Sequence, residues 1–162
     1  MTVTFTDAEI AGLIAEPKVL PADYRARLTL RAKRGHKEQE LLVRGSSEHE
    51  FHLILRQSIS DHLDFSVILG VTVPGSNRVF RLRRYNSQGH QHTNSIERAT
   101  IMFGPHIHMA TARYQDLGAV EEAYAEACER YSTLSEAVDC LLRDCGFILP
   151  EGEQLGLFEE RT

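Results

Sequence analysis

Near the N-terminus, apolar residues recur at the spacing of one helical face. The helix is expected to begin at Thr6, because Thr6 and Glu9 have the spacing of a capping box. It is expected to end before Pro17, which cannot continue a helix. The apolar face consists of Ile10, Leu13 and Ile14. The sequence therefore predicts a short amphipathic helix.

Polar and apolar residues then alternate with a period of two, which is typical of strands. The first such segment runs from Arg25 to near Gly35 and predicts a strand with a basic, solvated face. Four further strands, the last two joined by a turn at residues 74–77, are predicted at residues 39–43, 50–56, 64–73 and 78–85. Residues 100–109 also look extended, although Gly104-Pro105 should bend them or place them at an edge.

The helical period returns towards the C-terminus. Residues 120–129 contain no helix breaker, so a helix is predicted there. Thr133 and Glu136 form a second candidate capping box, and Gly146 is a typical helix stop. The apolar face between them consists of Leu134, Ala137, Val138, Leu141, Leu142 and Cys145. The predicted fold class is α+β, with an antiparallel sheet of five or six strands covered by helices.

Length and composition fit one domain with a tail. The chain has 162 residues and 42% hydrophobic content, which is enough for a core, and we expect a single domain at 1–149 followed by an acidic, flexible tail at 150–162. Neither a secretory signal nor a long apolar span is evident. The cysteines Cys128, Cys140 and Cys145 form no CxxC pair. A cytoplasmic protein with reduced thiols and no cofactor is expected.

Charge is distributed unevenly along the chain. Residues 1–114 hold 15 of the 18 Lys and Arg residues but 11 of the 23 Asp and Glu residues, so the front of the chain is basic and the back acidic. The basic part can face nucleic acid or an acidic partner, or it can pair with the acidic helix faces. No nucleic-acid motif accompanies it, so direct nucleic-acid binding is not expected.

Three large apolar residues stand in the acidic tail, where exposure to water is unfavourable unless something covers them. Either the tail packs on its own domain or it is a short ligand for another protein's groove. The tail segment resembles the pentapeptide Gln-Leu-Ser/Asp-Leu-Phe, by which bacterial polymerases and repair proteins bind the DNA polymerase III beta sliding clamp. The five residues are Gln154, Leu155, Gly156, Leu157 and Phe158. This agreement favours the ligand.

The resemblance implies a role for each position of the motif. Leu157 and Phe158 would fill the main hydrophobic pocket of the clamp, Leu155 would lie at its rim, and Gln154 would form a hydrogen bond in a neighbouring subsite. Gly156 departs from the family pattern and increases the ordering required on binding. Burial of the Leu and Phe side chains is worth roughly 1.5–3 kcal/mol each before that ordering, which predicts micromolar affinity.

A histidine-rich segment offers different chemistry. Because alternate residues of a strand share a face, the pairs His90/His92 and His106/His108 allow four imidazoles to converge. A zinc site made by these four histidines is chemically possible, but no HExxH motif or cysteine pair accompanies them, and no metal is expected.

The same histidines suggest a metal-independent ribonuclease. His106 or His108 would be the general base, and a phosphorane-like charge would be stabilised by Arg81, Arg83 or Arg84. The simpler alternative is that these side chains only solvate one face of a sheet. We therefore expect protein binding rather than catalysis to be the main activity.

Several segments between residues 50 and 147 resemble a family of small bacterial proteins. Together with the tail, they resemble the SocB-type sliding-clamp-binding toxins of SocAB toxin–antitoxin systems. The segments are Phe65-Ser66-Val67-Ile68-Leu69-Gly70, Arg83-Arg84-Tyr85-Asn86, His92-Thr93-Asn94, His106-Ile107-His108 and Arg130-Tyr131. The resemblance implies a toxin that occupies the clamp pocket at replication forks and blocks elongation by displacing other clamp-binding proteins.

The resemblance also implies two further partners, a SocA-type antitoxin that acts as a proteolytic adaptor and the ClpXP protease. No membrane partner is implied. Two alternatives remain open at this point, namely the ribonuclease toxin described above and a beneficial clamp-associated repair accessory protein.

Overall fold

The structure is a computed structural model that describes residues 3–87, 91–101 and 104–152. The helices are α1 (Asp7–Ala15), α2 (Tyr24–Arg27), α3 (Ala112–Leu117) and α4 (Leu134–Asp144). The longer strands are β3 (His36–Arg44), β4 (Glu50–Ser58), β5 (Phe65–Thr72) and β6 (Val79–Asn86). The shorter strands are β1 (Lys18–Val19), β2 (Arg31–Ala32), β7 (His92–Asn94), β8 (Ala99–Ile101), β9 (His106–Met109), β10 (Tyr124–Ala127) and β11 (Phe147–Ile148).

An antiparallel sheet of seven strands forms the centre of the fold, in the order β10-β9-β6-β5-β4-β3-β2. The α+β class and the antiparallel sheet are therefore confirmed, with more strands than the five or six predicted. Strands β7 and β8, which lie between β6 and β9 in the sequence, form a separate hairpin. A parallel pair, β1 with β11, joins the two ends of the chain and was not predicted.

One face of the sheet forms the core with helices α1 and α4. Alternate residues of β5 point into this core, among them Val67 and Leu69, and α4 contributes Val138 and Leu141. Phe5, which precedes α1, lies edge-on to Phe80 of β6 with ring centroids 5.0 Å apart. As predicted, the apolar face of the C-terminal helix covers the sheet.

Both predicted capping boxes are present. The backbone N–H of Glu9 donates to Thr6 Oγ1 at 3.1 Å, and the Glu9 carboxylate accepts from the Thr6 N–H at 2.9 Å. Thr133 and Glu136 repeat the arrangement at the start of α4. The chain leaves α4 at Gly146, whose φ of 75° favours glycine, and a Cβ there would lie 2.8 Å from the Glu16 carbonyl oxygen.

The strand predicted from Arg25 to Gly35 is wrong. The chain forms the short helix α2 and then only two residues of strand in β2. Tyr24 and Leu28 are both buried, and their separation of four residues is a helical one. The burial of Tyr24 and Leu28 therefore favours a helix here, and the alternation of the arginines does not produce a strand.

The helix predicted at residues 120–129 is also wrong, because this segment contains β10 at the edge of the sheet. The absence of helix breakers is a weak signal when backbone groups find partners in a sheet. Helix α3, which was not predicted, ends at Gly118 with a φ of 85°. In the part of the chain that the structure describes, no helix is both long and apolar enough to cross a membrane.

Candidate functional site

The sheet face opposite the core carries polar side chains in register. Residues paired across neighbouring strands point to the same side, so His106 of β9, Asn86 of β6 and Ser66 of β5 form one row. The next row places His108 beside Arg84. This pairing confirms the prediction that His106 and His108 share one face of a strand.

A third histidine reaches this face from the β7–β8 hairpin. The ring centroid of His92 lies 4.9 Å from that of His108 and 6.0 Å from that of His106, and the centroids of His106 and His108 are 5.0 Å apart. The three rings line a cleft of about 720 Å³. The remaining lining residues are Asp61, Leu63, Asp64, Phe65, Ser66, Arg84, Asn86, Ser87 and Gln91.

Backbone carbonyl groups fix the tautomers of the two strand histidines. Nδ1 of His106 lies 3.0 Å from the Gly104 carbonyl oxygen, and Nδ1 of His108 lies 3.0 Å from the Glu122 carbonyl oxygen. A carbonyl oxygen only accepts, so each Nδ1 carries the proton, which leaves a lone pair on Nε2 of the neutral ring. Neither Nε2 has a hydrogen-bond partner among the described residues, so both are available to a ligand.

His92 is held through its other ring nitrogen. Nε2 of His92 donates to the Ala123 carbonyl oxygen at 2.9 Å and lies 3.0 Å from Asn94 Oδ1. The Asn94 side chain also binds both backbone groups of Ala125, accepting from its N–H at 2.9 Å and donating to its carbonyl oxygen at 2.7 Å. Asn94 therefore anchors the histidine-bearing hairpin to the edge strand β10.

Burial keeps the two strand histidines neutral. Burial, together with the neighbouring Arg84 guanidinium, lowers the pKa of His108 from 6.5 to about 3. Burial also lowers the pKa of His106, although the hydrogen bond to the Gly104 carbonyl opposes this shift. Both imidazoles are consequently unprotonated at neutral pH.

Arg84 supplies positive charge beside these imidazoles. Its pKa is lowered by burial and by the nearby guanidinium groups of Arg81 and Arg56, while Glu122 opposes the shift. Glu122 is itself 1% exposed, and burial raises the pKa of its carboxyl group. Nε of Arg84 is buried without a hydrogen-bond partner in the described part of the molecule. The mutual repulsion of the three arginines favours binding of an anion here.

Arg81 lies on the cleft side of the sheet, where its Nη1 is 3.7 Å from the Glu122 carboxylate. Arg83 does not join the histidines, because it lies on the opposite face and its Nη1 donates to the Tyr85 hydroxyl at 3.4 Å. A register shift between Leu69 and Gly70 interrupts the alternation of β6 against β5. The structure thus brings Arg84, rather than Arg83, to the histidines.

The predicted clamp-binding residues Gln154, Leu155, Gly156, Leu157 and Phe158 lie outside the described residues, as does His90. Within residues 3–87, 91–101 and 104–152, no group of three or more His, Cys, Asp or Glu side chains is arranged to hold a metal ion. The four-histidine site includes His90, so it stays a prediction.

Two residues of the site were missed by sequence reasoning. Asn94 stands in a polar stretch with nothing to mark its side chain as a hairpin anchor, and Glu122 lies in a segment predicted to be helical. Their roles depend on contacts with β10, about 30 residues from Asn94 along the chain, and with the arginines of β6. Comparison of the chain with protein-family models, with curated proteins and with solved structures finds no match.

Proposed function

We propose that this protein binds the DNA polymerase III beta sliding clamp through Gln154–Phe158 and acts as a toxin that blocks replication elongation. The observation that carries the proposal is the agreement of four of these five residues with the clamp-binding pentapeptide. The exposure of Glu151 and Gly152 supports it, because the residues that lead into the motif lie on the surface of the domain. Other clamp-binding proteins would be displaced by competition for one pocket.

The proposed setting is the cytoplasm at replication forks. A SocA-type antitoxin would recognise the folded domain and deliver the toxin to the ClpXP protease. The motif and the antitoxin surface would then be separate, so one molecule can be recognised for degradation whether or not its tail is engaged. Inhibition of the clamp by this route forms and breaks no covalent bond.

The test of clamp binding compares the full-length protein with its Leu157→Ala/Phe158→Ala variant by fluorescence anisotropy against purified clamp. A peptide covering residues 150–162 is measured beside them, because a linear motif retains affinity when excised. We expect micromolar binding by the unmodified forms and a loss of at least about 100-fold in the variant. The Glu159→Ala/Glu160→Ala variant is the matched control and should bind within about threefold of the unmodified chain.

Clamp binding does not by itself establish toxicity, and expression of the protein in cells tests the toxicity. Expression of the protein should arrest DNA synthesis, and Phe158→Ala should relieve the arrest. If the protein binds the clamp but DNA synthesis continues, and cells instead survive DNA damage better, the clamp-associated repair accessory function replaces the toxin. If neither the full-length protein nor the peptide of residues 150–162 binds the clamp, both the toxin function and the repair accessory function are refuted.

A second candidate function, catalysis in the cleft, is favoured by one specific observation. Three histidine rings and the Arg84 guanidinium converge on the open face of the sheet, although their residues come from strands β6, β7 and β9. Clamp binding through the tail does not explain this convergence, whereas catalysis on a substrate bound in the cleft would explain it.

A further inference from the structure

We propose that the cleft is the catalytic site of a ribonuclease, in which Arg84 binds a phosphodiester of single-stranded RNA and His106 removes the proton of the adjacent 2′-hydroxyl group. This inference extends beyond clamp binding and does not depend on it. It rests on the positions of the cleft residues, on the state of the imidazole nitrogens and on the charge around Arg84.

Arg84 provides the positive charge for a phosphate. Arg84 lines the cleft, and its nearest row partner across the sheet is His108. The carboxyl group that opposes its charge, that of Glu122, is buried and has a raised pKa. A phosphodiester carries one negative charge and oxygen atoms that accept from guanidinium N–H groups, so it satisfies the charge of Arg84.

His106 is the residue that we assign as the base. His106 lies one row along the sheet from Arg84, in register with Asn86. We therefore assign its Nε2 to the hydroxyl group beside the phosphate and not to the phosphate itself. The bond from Nδ1 to the Gly104 carbonyl holds the ring and leaves the Nε2 lone pair for a proton. His108 stands in the same row as Arg84, so we assign it to positioning the phosphate and Arg84.

The arrangement of base and cation favours RNA as the substrate. A base beside a fixed cation suits a molecule that carries a hydroxyl group next to an anionic centre, and every internal RNA nucleotide has a 2′-hydroxyl next to its 3′-phosphodiester. A cleft of about 720 Å³ on an open sheet face has room for a nucleotide of a single strand. DNA lacks the hydroxyl group, so it is excluded from the reaction, although not from binding.

The proposed step is an intramolecular transesterification. The proton of the 2′-hydroxyl passes to Nε2 of His106, and the 2′-oxygen forms a bond to phosphorus. The bond between phosphorus and the 5′-oxygen of the next nucleotide breaks, and this departing oxygen takes a proton from water at the open mouth of the cleft. The products end in a 2′,3′-cyclic phosphate and a 5′-hydroxyl, and His106 returns its proton to solvent. The Arg84 guanidinium stabilises the extra negative charge on the phosphorane.

The test uses the full-length protein and a single-stranded DNA oligonucleotide that contains one ribonucleotide. We expect cleavage only after the ribonucleotide, in the presence of EDTA, with a cyclic phosphate and a 5′-hydroxyl at the new ends. A 2′-O-methyl group at that position should prevent cleavage but not binding. Products with a 3′-hydroxyl and a 5′-phosphate would overturn the proposal, as would cleavage of the all-DNA strand.

Variants identify the residues. His106→Asn keeps a donor for the Gly104 carbonyl and removes the base, so the cleavage rate should fall by about 100-fold or more. Arg84→Met should lower it by about 100-fold through weaker stabilisation of the charged intermediate. The matched control is His49→Asn, outside the cleft beside Glu16, which should retain the rate within about twofold. Circular dichroism shows whether each variant is folded. No cleavage by the folded unmodified protein, or full activity of folded His106→Asn, refutes the proposed site.

Discussion

At the scale of single residues, the Lys18 side chain caps the C-terminal ends of helices α1 and α4. Its side chain is fully buried, and Nζ lies between 2.6 and 2.9 Å from four backbone carbonyl oxygens, those of Leu13, Ile14, Glu16 and Cys145. The first three belong to the end of α1 or follow it, and the last follows α4. These carbonyl groups have lost their helical partners, so one ammonium group satisfies acceptors that would otherwise be buried without donors.

Replacement of this ammonium group tests its importance. Lys18→Met retains most of the side-chain volume but leaves the four carbonyl oxygens without their donor, so the free energy of unfolding should fall by about 3 kcal/mol or more. Urea denaturation monitored by circular dichroism measures the change. Lys33→Met, at an exposed position, is the control and should stay within about 0.5 kcal/mol of the unmodified protein. A similarly small effect at Lys18 would contradict this account.

His108 makes stability depend on pH. Its folded-state pKa of about 3 lies below the ordinary value of 6.5, so between these values the unfolded chain binds a proton that the folded chain does not. The free energy of unfolding should therefore fall as the pH is lowered from 6.5 towards 3. In His108→Asn the fall should be smaller by up to about 1.4 kcal/mol per pH unit. Urea denaturation at several pH values in this window measures the slope, and equal slopes would contradict the assignment.

At the scale of elements, the edge strand β10 is covered by side chains instead of a further strand. Asn94 occupies the N–H and the carbonyl group of Ala125, and His92 occupies the carbonyl group of Ala123. An amide side chain reproduces the donor and acceptor of a backbone residue, so the hairpin protects an edge that would otherwise accept another chain. The same contacts position the His92 ring in the cleft.

Asn94→Ala should release this edge. Loss of two buried hydrogen bonds should lower the free energy of unfolding by about 2 kcal/mol and accelerate hydrogen exchange at the Ala125 amide. Exchange measured by NMR separates local opening of β10 from unfolding of the whole sheet, whose central amides should exchange more slowly. Ser95→Ala, an exposed neighbour in the same hairpin, should change neither quantity. Unchanged exchange at Ala125 in Asn94→Ala would mean that something else covers the edge.

Elements governed by local rules were predictable from the sequence. Helices α1 and α4 follow from capping boxes of four residues, and β3 to β6 follow from alternation and turn chemistry. The failures are elements decided by distant partners. Strand β10 exists because β9 lies beside it, and the choice of Arg84 over Arg83 depends on a register shift against β5 that no pattern within β6 shows. The shared face of His106 and His108 was predictable for the same local reason, and the spacing also allowed His92 to converge with them, although the hairpin that brings it there was not predicted.

At the scale of the whole molecule, the clamp motif and the cleft are separate along the chain. The described core is assembled from residues between Phe5 and Cys145, and none of its buried residues lies beyond that point. Deletion of residues 153–162 should therefore leave the melting temperature unchanged within about 1 °C while abolishing clamp binding and retaining RNA cleavage. Calorimetry, anisotropy and the cleavage assay measure the three quantities. A marked loss of stability would show that the tail packs on its own domain.

The parallel pairing of β1 with β11 constrains how the protein is made. Lys18 is paired with Phe147 and Val19 with Ile148, and Lys18 also bridges to Gly45, so β1 lacks its parallel partner until residues 147–148 have been synthesised. The carbonyl group of Cys145, which completes the environment of the buried Lys18 ammonium, arrives equally late. While residues 145–148 remain inside the ribosome, neither the parallel strand pair nor the full set of acceptors around Lys18 can form. A chain that is cut before residue 145 therefore lacks both the parallel strand pair and one acceptor of the Lys18 ammonium group, and part of its core is open to cellular proteases.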